Sequence, residues 1–329
     1  MITTIDCIRF LLKQGLAFHG HDESKDSSNR GNFLELLRFL TDHNEDINVV
    51  TFDNAPGNLQ MTSNEIKKEI VSCVAIETTN IIINEMGDVL FSLLINESHD
   101  ISVKEQMVVV LRYVDKNGYV VERFIGIEHI TSTTSISLKE ALDRLFSKHG
   151  LSMSRLRGQG YDGASNMQAK RRVILQEKHA QAIIKALDDG ELSSGRDMQL
   201  QELSNCFNET NTELLLCVAC LCPNDSFAAF DKQKLLRLTE FYPNDFFPVD
   251  LVALETQLDV YIMDVSFDNN FSGIKGIGEL ARKLVETKKD QLYSLVYLLV
   301  TLPLILPVAT ATVERAFSAM NFVKNRLRN

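Results

Sequence analysis

The 329-residue chain lacks the signatures of most small-molecule enzymes. It is read as holding no P-loop, no dinucleotide fingerprint and no G-x-S-x-G elbow, so nucleotide hydrolases, nicotinamide enzymes and serine hydrolases drop out. Its seven histidines are scattered, with none four residues from another, so no His pair can share a metal on one helical face. Positive charge is scarce: 34 Lys and Arg against 44 Asp and Glu leave a net charge of -10. A free-standing nucleic-acid binder normally carries the opposite excess, which argues against strong DNA affinity by this chain alone. Any basic surface must be local, as at Lys170-Arg171-Arg172 and at Lys324, Arg326 and Arg328.

The six cysteines fall at positions 7, 73, 206, 217, 220 and 222. Cys217, Cys220 and Cys222 form C-x-x-C-x-C inside an apolar run with no second ligand pair, so buried free thiols are expected. Met1 to Ala17 has no clean apolar core with a cleavage site, which points to an intracellular, reducing setting. Gln291 to Val313 is free of charge and long enough to cross a bilayer of roughly 30 Å. Pro303 and Pro307 interrupt it and no basic flank marks one side, so a buried helix followed by an extended segment is expected, with no membrane contact. No period of about 20 to 50 residues repeats, which argues against a solenoid.

What is present is clearest from Val89 to Met167. Val89 to Ile95 is apolar on both alternating faces, as in a central strand covered on both sides. Gln106 to Val114 and Tyr119 to Ile130 flank Asp115-Lys116-Asn117-Gly118, a turn whose Asn-Gly pair tolerates positive φ, so they read as an antiparallel hairpin. Ser137 with Glu140 makes a capping box for a helix that buries Leu138, Ala141, Leu142, Leu145 and Phe146 and stops at Gly150. A short strand through Leu156 then reaches Gly160-Tyr161-Asp162-Gly163. Three antiparallel strands, a helix and a fourth strand in the same sheet is the RNase H-like α/β order.

Helices are expected elsewhere. Ile2 to Gly20 shows a stripe of Ile5, Ile8, Leu11, Leu12 and Leu16. Phe33 to Leu40 and Ser63 to Met86 follow. After Met167 come 169–190, 200–221, 231–241, 249–265, 275–289 and 291–300. A last helix, capped by Thr310, carries Val313, Ala316, Phe317, Met320 and Leu327 on its apolar side. Glu314 lies at the edge of that stripe, positioned to point along a core surface towards a site.

Two segments also resemble a known family. Leu306-Pro307-Val308-Ala309-Thr310-Ala311-Thr312-Val313-Glu314-Arg315-Ala316-Phe317-Ser318, with Lys324-Asn325-Arg326-Leu327, looks like the C-terminal dimerisation region of hAT-superfamily transposases. Asn96-Glu97-Ser98-His99-Asp100-Ile101-Ser102 and Gly160 to Met167 resemble their catalytic core, nearest to the plant TTF-type and MYM-type zinc-finger-like proteins. The resemblance implies an RNase H-like core with a large helical insertion, divided as a helical N-terminal segment (1–87), the first part of the core (88–168), a shortened insertion (169–290) and a truncated dimerisation region (291–329).

The family's Asp, Asp and Glu hold two divalent ions that clamp the attacking and leaving oxygens of a phosphodiester. Carried over, the second acid matches Asp162 and the third Glu314, while the first position is Asn96. Asn keeps a carbonyl oxygen but no charge and cannot bridge two cations. The family's zinc-finger reader and its paired Cys and His after Met167 have no counterpart here, and it runs on beyond position 329, so a shortened, internally deleted relative is expected.

Three functions follow as expectations. The first is a catalytically silent remnant that associates with itself or with related hAT-derived proteins through Val296, Leu299, Leu306, Val313, Phe317 and Met320, with no cofactor required. The second is a residual Mg- or Mn-dependent nuclease or transposase using Asp162, Glu314 and a neighbour of Asn96. The third is DNA binding without catalysis. A nuclear or nucleocytoplasmic location would suit all three.

Overall fold

The computed structural model describes residues 1–56, 60–99, 105–130, 135–161, 209–307, 312–316 and 318–319. The chain divides into two compact units, Met1–Glu85 with Ala311–Asn329, and Met86–Thr310.

In the first unit, α1 (Ile2–Gln14) and α2 (Asn32–His43) pack through Cys7, Ile8 and Leu11 against Phe33, Leu34 and Leu37, with Ile70 and Val71 of α3 (Asn64–Met86) beside them. The buried face of α1 is Thr4, Cys7, Ile8 and Leu11, while Ile5 and Leu12 are exposed. This corrects the expected stripe: positions 4, 7, 8 and 11 follow the i, i+3, i+4, i+7 rule, which the run of isoleucines and leucines obscured. Gly15, at φ 62°, ends the helix five residues before Gly20.

The second unit is built on a four-stranded mixed sheet, ordered β3-β2-β1-β4. β1 (Phe91–His99) pairs antiparallel with β2 (Glu105–Val114), which pairs antiparallel with β3 (Val120–His129). β4 (Leu156–Tyr161) joins the other edge of β1 in parallel. The hairpin closes as expected, with Gly118 N–H donating to Asp115 O at 3.0 Å and the Asp115 carboxylate accepting from the amides of Asn117 and Tyr119. Positive φ is needed only at Gly118. A Cβ there would also lie 2.8 Å from the backbone of Ala281, so glycine lets the hairpin tip rest on a helix.

Both faces of the sheet are covered, which is why β1 is apolar on both. One face is packed by α4 (Ser135–His149), whose Phe146 ring lies 6.0 Å from that of Phe91. This helix begins two residues before the expected cap at Ser137, and it buries the five residues anticipated and ends at Gly150. The other face meets the end of the apolar C-terminal run: Arg112 Nε donates to Leu304 O at 2.9 Å.

The helices α5 (Glu209–Ala219), α6 (Lys232–Thr239), α7 (Pro248–Phe267), α8 (Ile277–Glu286) and α9 (Ser294–Leu304) share one apolar core. Tyr261 of α7 stands at its centre, edge-on to Phe227 and Tyr293. The charge-free run resolves into α9, with Pro303 inside its last turn. Among the described residues no helix is long and apolar enough to cross a membrane. The chain is thus α/β with an RNase H-like core and many helices, as the element order implies.

Candidate functional site

Asn96 occupies β1 opposite Val108 of β2 and is 8% exposed. Parallel pairing of β1 with β4 sets Ser92 beside Gly158, Leu94 beside Gly160 and Ile95 beside Tyr161. Side chains alternate along a strand, so Ser92, Leu94 and Asn96 share one face with the two glycines. Pro307 lies on that face: a Cβ at Gly158 would come within 2.8 Å of Pro307 Cδ, and one at Gly160 within 2.7 Å of Pro307 Cβ. Glycine in β4 therefore lets the segment after α9 approach the sheet where β1 and β4 run towards Asn96. Ser92 Oγ and Asn96 Oδ1 are buried and find no hydrogen-bond partner among the described residues.

Gly158, Gly160 and Gly163 do spell G-x-G-x-x-G, a spacing the sequence reading passed over. The first two lie inside β4 under Pro307, whereas the glycines of a dinucleotide fingerprint form the turn after the strand. Packing against Pro307 accounts for these first two glycines.

A bulge in the β1 and β4 pairing at Arg157 frees its side chain from the regular alternation. Its guanidinium makes a bidentate ion pair with the buried Asp245 carboxylate and also donates to Ser154 O and Leu156 O. Nearby Tyr242 has its hydroxyl pushed up to about 12, first by burial and then by the charge of Asp245. This clamp ties β4 to the helical part of the same unit.

The other named positions are distributed differently. Asp162 lies outside the described residues. Glu314 stands on a helical stretch over 312–316 in the other unit and is exposed, where the sequence reading expected it to point along a core surface. Val296 and Leu299 are wholly buried in the helical core and Val313 is also wholly buried, so these three are used inside the chain. Their assignment as surface contacts is corrected: α9 is apolar on nearly every side, and such a pattern carries no phase to tell inward from outward. Leu306 is half-buried, and the side chains of Phe317 and Met320 lie outside the described residues. So do Lys170-Arg171-Arg172 and Lys324, Arg326 and Arg328.

Cys217 and Cys220 are core thiols, each raised above its ordinary value mainly by burial. Among the described residues no group of three or more His, Cys, Asp or Glu could hold a metal ion. One feature escaped the sequence reading altogether. α7 carries a second, exposed apolar face, whose signal was present in the sequence as a helix hydrophobic on opposite sides.

A sheet of three antiparallel strands with a parallel fourth, covered by helices on one face and by the chain after α9 on the other, defines an RNase H-like α/β protein. Comparison with known families takes this further. Residues 1–172, more than half of the 329, match the family described as ZMYM1/FAM200, RNase-like domain (DUF4371), and the chain belongs to that family. The family is transposase-derived and related to hAT-transposase-derived proteins. A human protein named 52 kDa repressor of the inhibitor of the protein kinase is 27% identical over 182 residues, covering 52% of this chain and 23% of its own. The mouse protein of the same name is 26% identical over 182 residues, covering 52% of this chain and 24% of its own. The match thus spans about a quarter of the length of these curated relatives.

Proposed function

We propose that this chain is a domesticated, transposase-derived protein whose phosphoryl-transfer site is silent and whose retained activity is association with a second copy or a related hAT-derived protein. The observation that carries the first half is Asn96. A two-cation site needs anionic oxygens that can bridge, and Asn96 offers one neutral, buried carbonyl oxygen. Asn96 therefore does not fit the metal pair of an active family member. The absence of a required cofactor is part of the same reading.

The finer kinship, with plant TTF-type and MYM-type zinc-finger-like hAT proteins, rests on the residues from Leu306 to Ser318 and from Gly160 to Met167. A nuclear or nucleocytoplasmic location follows from that ancestry, and it agrees with relatives named as repressors. The division at 87, 168 and 290 belongs to the same proposal. Weak DNA contact remains compatible with it, and a net charge of -10 opposes anything stronger.

The test is Mg²⁺- or Mn²⁺-dependent cleavage of DNA by the purified chain, beside Asn96→Asp. The wild type is expected to leave DNA intact with either ion. Metal-dependent cleavage by the wild type would overturn the silent-site reading; cleavage gained only by the variant would trace the silence to the one missing charge. Light scattering on the eluted protein tests the second half, and a monomer at micromolar concentration removes it.

A further inference from the structure

We propose that the exposed apolar face of α7 is where two copies of this chain meet, helix against antiparallel helix. The inference rests on the self-association reading above and supplies its surface. Along α7, Val249, Val252, Val260, Met263 and Phe267 are 80%, 69%, 52%, 65% and 89% exposed. At 100° per residue they and Thr256 fall within an arc of about 80°. Leu254, Leu258, Tyr261 and Val265 hold the opposite side of the helix in the core. The stripe is thus separate from the packing that folds the protein.

From Val249 to Phe267 the helix rises about 27 Å, and a face that long and a helix wide amounts to roughly 270 Å², comparable to the largest apolar patch of an ordinary monomer. A stable interface buries about 800 Å² on each side, so the stripe needs neighbouring surface as well. The groove of about 500 Å³ between α6 and α7 adjoins it, lined by Leu236, Leu251 and Val252 among mostly polar and charged side chains such as Lys234, Arg237 and Glu255. It opens beside the N-terminal half of the stripe.

The order of side-chain sizes identifies the occupant. A two-fold axis near Leu258 sets Val249 against Phe267, Val252 against Met263 and Thr256 against Val260 of the other copy. Small residues near one end meet large ones from the other, and the groove beside Val252 can receive the Met263 or Phe267 side chain. Antiparallel pairing also opposes the two helix dipoles. Two-fold symmetry brings like edges of the helix together, which only a neutralised edge tolerates. Here Lys232 lies 3.2 Å from Glu255 and 2.9 Å from Asp259, the acids on that edge.

Sedimentation equilibrium of the full chain tests this with two variants. Val252→Asp with Val260→Asp alters exposed positions only, so the fold should survive, with unchanged circular dichroism, and dimer affinity should fall by about a hundredfold or more. Thr256→Cys with Val260→Cys should give a disulfide-linked dimer under diamide, well above the background of the native cysteines. A wild-type monomer would overturn both this surface and the self-association reading. A wild-type dimer that neither the aspartates weaken nor the cysteines link would overturn the surface alone. Monomeric wild type that binds vesicles of neutral and anionic phospholipid through the same residues would replace the second copy with a membrane and overturn the proposal.

Discussion

Pro307 packs directly on the backbone of Gly160, so closely that a side chain at Gly160 would place its Cβ 2.7 Å from Pro307 Cβ. One contact thus joins two segments far apart in sequence, both of which carry the hAT resemblance. Gly160→Ala is therefore expected to destabilise the chain by about 1–3 kcal/mol through overpacking. Urea unfolding should show a lower midpoint, and Pro307→Ala should restore part of the loss. Full additivity of the two changes would show that the contact is not what excludes a side chain there.

Arg157 and Asp245 form a buried pair whose value is best judged by what is left when half of it goes. Arg157→Ala would strand a carboxylate that is 7% exposed, at an expected cost of about 3–5 kcal/mol. Asp245→Asn leaves a neutral acceptor and should cost less than that. Chemical denaturation of both variants checks the ordering. An equal, small loss in each would mean that the clamp does not hold β4 to the helices.

The sheet and α4 were legible because alternation, an Asn-Gly turn and a closing glycine each carry a local signal. The parallel placement of β4 was legible only from element order. What stayed hidden depended on the partner of a segment. Val296 and Leu299 read as interface residues because an all-apolar helix has no preferred side until something packs on it. The outer stripe of α7 was passed over for the same reason: a helix apolar on opposite sides shows both stripes in sequence, Val249 and Leu254 look alike there, and only the fold says which one is buried. Asn96 drew attention through the hAT resemblance, while the close approach of Pro307 to its face of the sheet could not be read from either segment alone.

Asn96→Asp sets an anion where Oδ1 now has no partner among the described residues. Without metal the introduced carboxyl should lower stability by roughly 1–3 kcal/mol, since an unpaired buried polar group carries its desolvation cost. If the surrounding scaffold retains the family's ligands, millimolar Mn²⁺ should raise Tm in the variant and not in the wild type. Differential scanning fluorimetry of both proteins reads this out, and equal responses would count against a preserved ion site.

Thiol accessibility separates the cysteines. Cys73 is exposed, whereas Cys7, Cys217 and Cys220 are buried. The Cys7 thiol is pushed up to about 11, chiefly by burial and further by Asp6. Iodoacetamide on the native chain should label Cys73 well before these three, which should react only on unfolding. Peptide mass spectrometry over time decides it, and early labelling of Cys217 or Cys220 would contradict the packing of α5 and the turn that follows it.

The burial of Lys67 sets an expected alkaline dependence for the first unit. Its side chain is 1% exposed, with the ammonium 3.5 Å from Glu23 and 5.1 Å from the centre of the Phe33 ring. Burial pulls its pKa below the ordinary 10.5, and Glu23 offsets only part of this. The unfolded chain therefore holds the proton more tightly than the folded one. Between the lowered folded value and 10.5 the unfolded state binds more protons, so stability rises with pH across that window and is lost as pH falls through the folded value. Lys67→Met removes the charge and keeps the apolar stem, so it should abolish this component of the slope and match or exceed wild-type stability near neutral pH. Urea midpoints of the two proteins, measured from neutral pH to the ordinary lysine value, isolate the difference from other alkaline titrations. Parallel profiles would show that Lys67 is not the group responsible.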